Sequence, residues 1–504
     1  LAATILGSSL AFIDGSVVNV ALPAIQADLR MSVAGAQWVV NAYLLMLGAL
    51  VLVGGSAGDR FGRRRIFVAG IAIFTGSSIA CGLAPGTATL IAARAAQGIG
   101  SALLVPTSLA IISAAFPSDE RGQAIGTWAG FSALTTALGP VLGGWLVDAL
   151  SWRTIFFINL PIALLTLGLT LTLVPESRRS LEHADIDWKG GVLAMFGLGS
   201  LTYGLTTVSD LGWTHPTVYG ALLMGTSLLA WFIWSEAHAP SPMVPLRLFR
   251  SASFSAANAM TLLLYFALSG ALFFLPFDLI HLQGYSAALT GAAFLPFTLI
   301  MGTLSRWSGG LVVRYGARWP LTIGPILAAA GLALLAVPGI GGSYWTTFFP
   351  AMVVLGLGMA ISVAPLTATV MSSVDEQHSG TASGINNAVA RIAGMLAVAL
   401  LGVLAVGVFR ASLNARLETL QVPAEVRLDL AAEIPKLAEA KVPSEISGEE
   451  RRTLEHALDE SFLRTFRVEM LVAAGLALLS ALCAQPMSLA RRSPSPKSIA
   501  KLAR

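Results

Sequence analysis

Residues 54–65 read GGSAGDRFGRRR, a compact basic turn between two apolar stretches, and that interruption decides how the rest of the chain is read. The stretches on either side, 36–57 and 66–84, each run about 20 residues, the length that crosses ~30 Å of hydrocarbon as a helix. Gly58 and Gly62 permit a tight turn and a close helix approach. Arg64 and Arg65 are accounted for as topology-setting cations, but Asp59 is not. Asp59 sits where it can pair with an arginine or face a helix N-terminus, so contacts here can lock two helices on one side of a membrane.

Outward from this turn the pattern recurs from end to end. Spans are expected near 3–25, 36–57, 66–84, 88–114, 122–147, 153–174, 189–208, 216–235, 254–278, 287–313, 319–338, 345–372, 381–408 and 468–489. The 504 residues are 55% hydrophobic and 12% charged, with a mean hydropathy of +0.75, whereas soluble domains carry roughly a quarter charged residues. That excludes a soluble globule, and backbone satisfaction in lipid selects helices. The expected fold class is therefore an all-α polytopic membrane protein with 14 transmembrane helices. Cys81 and Cys483 both lie in apolar runs, which suggests neither a disulfide framework nor a metal site.

With the first loop outside, Arg60, Arg63, Arg64, Arg65, Arg121, Arg178, Arg179, Lys189, Arg247, Arg250, Arg314 and Arg318 fall on the inner side. The tail cations Arg491, Arg492, Lys497, Lys501 and Arg504 join them, while the short outer loops keep only Arg30 and Arg153. This bias predicts both termini in the cytoplasm and a location in the cytoplasmic (inner) membrane. No cleavable signal peptide is visible, and native residues are expected to precede Leu1, which lies 13 residues before Asp14.

Offsetting the chain by roughly 254 to 259 residues exposes an internal similarity of the kind transporter repeats leave. Gly55, Arg60, Phe61, Gly62 and Arg64 correspond to Gly309, Arg314, Tyr315, Gly316 and Arg318. Gly98 and Gly100 correspond to Gly356 and Gly358, and Gly122, Ala124 and Gly126 to Gly380, Ala382 and Gly384. The organisation expected is a six-helix bundle over 1–180, a linker with two inserted helices over 181–250, and the first five helices of a second bundle over 251–409. A long outer loop of short amphipathic helices over 410–467, a last helix over 468–490 and a basic tail over 491–504 complete it. The outer loop reads as a solvated connector resting on the bundle, with a lid over the outer mouth as the alternative.

Ionisable groups inside spans are functional candidates. Asp14 lies near the middle of the first span, where an ionised carboxylate costs at least ~2.5–3.5 kcal/mol. Desolvation disfavours its charged form, so it can load and release a proton as its surroundings open to each side; a structural hydrogen bond is the other reading. Arg94 is the matching cation, to be neutralised by Asp14 or by an anionic substrate group, or else held by backbone carbonyls. Gln97 follows on the same face. Asn386, Asn387 and Arg391 place polar groups in the thirteenth span that would be wasted on lipid. Asn19, Asn41, Tyr43, Trp128, Asn258 and Tyr265 are further candidates for a cavity wall, with a place at a helix contact as an equally good reading. Asp278 falls near the outer end of the ninth span, where interfacial exposure is expected. In the fifth span Gly126, Gly130, Gly139, Gly143 and Gly144 allow close packing, and Pro140 loosens the helix; a hinge or seal and plain packing are equally good readings.

The turn at 54–65 resembles the loop signature of the major facilitator superfamily, in the order Gly, small, apolar, Asp, Arg, aromatic, Gly, Arg, Arg. LIAARAAQGIG at 90–100 is similar to the family's fourth-span signature through Arg94, Gln97, Gly98 and Gly100. TTALGPVLGGWL at 135–146 resembles its fifth-span antiporter signature through Gly139, Pro140, Gly143 and Gly144. FIDGSVVNVALP at 12–23 resembles the first-span signature of the fourteen-span drug:proton antiporter branch, through Asp14, Asn19 and Pro23. The resemblance implies two six-helix bundles with two inserted helices, a cytoplasmic gate of Gly55, Asp59, Arg60, Gly62, Arg63 and Arg64, and alternating access driven by protons. Val313 stands where the second half would repeat Asp59, so the charged lock is expected on one side only.

The expected function is export of small amphipathic or drug-like compounds in exchange for protons, with Asp14 and Arg94 coupling the two. A proton-independent facilitator or lipid translocator on the same fold is the nearer rival. Few embedded acids beyond Asp14 are apparent, so neutral, monocationic, anionic or lipid-like substrates are as plausible as multivalent cations. None of the lysines 189, 436, 441, 497 and 501 follows a glycine as a phosphate-binding loop requires, which leaves an ATP-driven pump unsupported. The scattered histidines form no zinc-protease pair and no nucleophile elbow appears, so no enzyme, cofactor or metal is expected. The partners expected are substrate, protons and lipid, without nucleic acid or ATP, for a chain acting as a monomer.

Overall fold

The computed structural model describes residues 1–178, 187–375 and 378–487, and inside the helices it leaves aside the side chains at 118, 119, 121–123, 126, 129, 133, 137, 209, 210, 306, 313 and 379. Expectations resting on Arg121, Gly122, Gly126, Arg179, Val313 or the tail 491–504 lie outside the described residues. Among the described residues fourteen helices are long and apolar enough to cross a membrane, and there is no strand. In the first half they are α1 (Ala2–Leu29), α2 (Val33–Phe61), α3 (Arg63–Gly82), α4 (Thr87–Ala115), α5 (Ser118–Ala149) and α6 (Thr154–Leu173). Next come α7 (Trp188–Leu211), α8 (Pro216–His238) and α9 (Ala252–Leu282), which closes in a π turn over Asp278–Leu282. The second half continues with α10, in two pieces Ala287–Ala293 and Leu295–Gly309, then α11 (Arg318–Leu335), α12 (Phe348–Ser372), α13 (Ser379–Thr419) and α14 (Gly448–Leu482). The face on which α1 begins is called here the terminal side, and the opposite face the far side.

Side chains at the breaks satisfy the first free N–H groups of several helices. Ser32, Ser251 and Ser286 accept from Gly35, Phe254 and Leu289 at the starts of α2, α9 and α10. The internal repeat is carried into three dimensions. Each packed pair α1–α5, α2–α4, α3–α4, α1–α6 and α3–α6 in the first half has its counterpart in α9–α13, α10–α12, α11–α12, α9–α14 and α11–α14. Two equivalent glycine pairs explain the match. A Cβ on Gly98 would strike the Tyr43 carbonyl of α2, and one on Gly356 would press on Phe297 of α10. Gly100 and Gly358 meet the backbones of α3 at Phe74 and of α11 at Ala328 in the same way. The basic turns repeat too, since Gly62 and Gly316 take positive φ values of 110° and 77°.

The halves meet chiefly at two symmetry-related crossings, α5 with α10 and α13 with α2. The inserted pair sits at this seam. Helix α7 packs on both α2 and α13, with the Trp38 indole donating to Thr206 at 2.9 Å, while α8 packs chiefly on α7 and leaves Leu223, Trp231 and Trp234 exposed as a lipid-facing surface.

The far-side segment departs from the expectation of short separate helices over 410–467. Helix α13 runs on to Thr419 and α14 begins at Gly448, so residues 410–419 and 448–467 are continuations of the two spans. Apolar residues at helical spacing explain this: Leu413 and Leu417 of α13 are buried in one cluster with Leu454, Leu458 and Phe462 of α14, and Arg416 pairs with Glu460 across them. Between the rods lie a short helix, Ala424–Glu433, and a 3-10 turn, Ile434–Glu439. That turn buries Ile434 and Leu437 and touches α1 and α2 as well as α13 and α14. The Gln26 amide donates to the Lys436 carbonyl at 3.1 Å, and Glu439 lies 3.0 Å from His281.

Candidate functional site

Asp14 and Arg94 are both buried in the first half and touch each other. One carboxylate oxygen meets the Arg94 Nη1, and the other accepts from the Gln97 Nε2 at 2.8 Å. The Arg94 Nε donates to the Val39 carbonyl at 3.0 Å, its Nη1 also reaches the Gln97 Oε1 at 2.8 Å, and its guanidinium carbon lies 4.4 Å from the Tyr43 ring centre. Behind this group the Ser78 hydroxyl accepts from Gln97 and Asn159 and donates to the Phe156 carbonyl. Helices α1, α2, α3, α4 and α6 thus converge on one polar core in which the arginine and the carboxylate answer each other.

A separate cavity of about 310 Å³ lies between the halves. Its first-half wall is Phe12 and Leu44, and its second-half wall includes Tyr265, Asn386, Asn387 and Arg391. Ser383 and Thr367 carry the lining toward the terminal side. Asp14 and Phe12 are two residues apart, about 200° around a helix, which is why one faces the interior of its own bundle while the other faces the cavity. Among the described residues lining this space, Arg391 is the one charged side chain.

The remaining candidates distribute as follows. Gln97, Tyr43 and Asn41 are buried within the first half; the Tyr43 hydroxyl donates to the Ala11 carbonyl at 3.2 Å, whereas neither amide atom of Asn41 has a protein partner. Asn19 is half-buried on α1. Trp128 donates to the Ser8 hydroxyl at 2.9 Å and stands edge-on to Phe12, behind the cavity wall. Asn258 backs the other wall, its carbonyl oxygen accepting from Asn386 at 3.2 Å.

At the basic turn, Asp59 accepts from Arg63 at 2.7 and 2.9 Å. Glu176, just past α6, takes the backbone N–H groups of Arg64 and Arg65 at 3.1 and 3.2 Å, while the Arg64 side chain reaches the Leu171 carbonyl. A Cβ on Gly62 would meet that same carboxylate, and one on Gly55 would touch Pro106 of α4; the Arg60 guanidinium carbon lies 5.8 Å from the Phe61 ring centre. These contacts tie α2, α3, α4 and α6 within one half. Glu176 escaped the sequence reading because an acid just beyond a span looks like any interfacial residue.

The α5 glycines split between two partners. Gly139 and Gly143 face Ser16 and Val17 of α1, whereas Gly144 abuts the Ala287 carbonyl of α10 in the other half, and Gly291 of α10 abuts the carbonyl of Pro140 in return. Asp148 completes this far-side seam by accepting from the Ala287 and Ala288 N–H groups at 3.1 and 2.7 Å. Two expectations about acids need correction. Asp278 is 1% exposed, tucked in by the π turn with Gln283 bonded across to the Gly339 carbonyl. Glu469 of α14 is 1% exposed with no protein partner for either oxygen, so Asp14 is not nearly alone as an embedded acid.

The chain is 36% identical over 485 residues to the multidrug resistance protein Stp of Mycobacterium tuberculosis, covering 94% of this chain and 88% of that protein. It is 33% identical over 491 residues to the tetracenomycin C resistance and export protein of Streptomyces glaucescens, covering 95% and 90%. Among solved structures, a bacterial homologue of the human lysosomal transporter Spinster superposes with a TM-score of 0.64 at 17% identity, over 96% of this chain and 95% of that one. The sequence model of the Major Facilitator Superfamily matches residues 4–398, and the chain accordingly belongs to that superfamily as a multi-pass membrane transporter.

Proposed function

We propose that this transporter exports amphipathic, drug-like compounds across the cytoplasmic membrane in exchange for protons, with its terminal side in the cytoplasm. The relatives named for resistance and export support the direction and cargo class, and the arginine-rich turns support the orientation. The observation that carries the coupling is the buried Asp14–Arg94–Gln97 group. A proton arriving on Asp14 removes the charge that answers Arg94, so proton loading is coupled to the packing of α1 against α4. Opening the bundle toward one face hydrates the carboxylate, and closing it requires a proton or the arginine as partner.

Asp14→Asn tests this in proteoliposomes. The amide keeps one acceptor oxygen for Arg94, gives up the one that Gln97 uses and cannot carry the proton, so substrate-linked proton movement is expected to vanish while substrate binding in detergent persists. Undiminished coupling would defeat the assignment. A second reading, a facilitator or lipid translocator without proton exchange, draws on the complete burial of Asp14 away from the central cavity. Under that reading the same variant would transport normally and no proton flux would accompany either protein.

A further inference from the structure

We propose that the central cavity selects amphiphiles that carry an acidic group, a carboxylate, phenolate or sulfonate, and that Arg391 is the residue that selects them. This rests on the export reading and specifies its cargo. Arg391 lies on α13 where that helix crosses α2, its Cβ close enough that one added to Gly48 would lie 3.2 Å away. It is half-buried in the cavity wall, and no hydrogen bond or ion pair joins its guanidinium to another described residue.

No described carboxylate lines the cavity to balance this charge. The acid in the neighbouring bundle, Asp14, has both oxygens committed to Arg94 and Gln97. The space therefore presents a net positive charge, which repels an organic cation and attracts an anion. The surrounding groups fit the rest of such a molecule. Asn387 lies one helical turn before Arg391 on the same face, and Tyr265 and Ser269 add hydroxyls, while Phe12 and Leu44 opposite offer an apolar surface for an aromatic or aliphatic body. When the cavity closes and water leaves, a guanidinium without a partner is costly, and an acidic cargo supplies that partner.

The purified full-length transporter in lipid nanodiscs is titrated against two dyes that share a xanthene core, the anionic fluorescein and the cationic rhodamine 123, with fluorescence anisotropy as the readout. The wild type is expected to bind fluorescein roughly tenfold or more tightly than rhodamine 123, the scale of one charge-assisted hydrogen bond. Arg391→Gln should erase that preference, and Arg391→Lys should keep most of it. Asn387→Asp, which places a carboxylate four residues from Arg391 on the helix, should also erase it, so a folding defect in one variant does not decide the matter. Equal or tighter binding of rhodamine 123 by the wild type would overturn the proposal, as would unchanged fluorescein affinity in both Arg391→Gln and Asn387→Asp. Uptake of rhodamine 123 into inverted vesicles would in that case leave the export reading standing. Saturable binding and uptake of neither dye would overturn both.

Discussion

In the first half of the bundle the guanidinium of Arg94 has a carboxylate, an amide oxygen, a backbone carbonyl and an aromatic ring around it, all supplied by its own helices. In the second half Arg391 is held at the cavity wall, and no described residue bonds to its guanidinium or stacks on it in this way. The same residue type is thus used in two ways. Arg94 belongs to a closed set whose members must separate before anything else can reach them, so it suits a step tied to conformational change. Arg391 is open to whatever enters, so it suits recognition. The difference follows from where each faces: α4 turns Arg94 toward its own bundle, and α13 turns Arg391 toward the seam.

The largest effect is expected from breaking the closed set. Arg94→Ala leaves Asp14 buried without its cation and should cost about 3–5 kcal/mol, read as a large fall in the thermal midpoint in detergent. The double variant Arg94→Gln, Asp14→Asn should recover much of that loss, and a midpoint as low as that of Arg94→Ala would mean that the pair is not the source of the cost.

A middle-sized effect is expected at the seam, where neither arginine takes part. Asp148→Asn weakens the charged cap that α5 places on the first turn of α10 and should destabilise the far-side junction by about 1 kcal/mol. Cross-linking of cysteines introduced at the far-side ends of α5 and α10 should become slower; an unchanged rate would remove Asp148 from the latch. The smallest effect is the sharpest contrast with Arg94. Because Arg391 gives up no described protein partner, Arg391→Gln should shift stability by no more than about 0.5 kcal/mol. A loss matching that of Arg94→Ala would erase the distinction between the two halves.

Much of the fold was legible because crossing ~30 Å of hydrocarbon leaves a signal about 20 residues long in the sequence. The fourth span, expected at 88–114, is the helix Thr87–Ala115, and the twelfth, expected at 345–372, is Phe348–Ser372. The differences arise where a helix runs on past the apolar stretch that announces it. The charges after 409 mark the expected end of the helix, yet Leu413 and Leu417 continue it by packing on α14. Drawing the last span from 468 also left Glu469 at its edge, which hid a fully buried acid.

The pairing of Asp14 with Arg94 was foreseeable from the cost of two opposite charges in oil. Their position away from the central cavity was not, because the facing of a helix depends on how it crosses its neighbours. Tyr265, Asn386, Asn387 and Arg391 reach the cavity while Asn41, Tyr43 and Gln97 do not, and all seven look alike as polar interruptions of an apolar run. Asp148 was invisible for a related reason: its partners are backbone N–H groups of α10, which no side-chain pattern announces.

Helix α13 passes without a break from the cavity wall at Arg391 to Thr419, a rod of about 42 Å at 1.5 Å per residue. A small tilt of that rod at the depth of the cargo becomes a larger sweep at its tip. A fluorophore or antibody fragment attached near Thr419 would act as an external pointer, reading events deep in the membrane from a position that takes no part in the cavity lining.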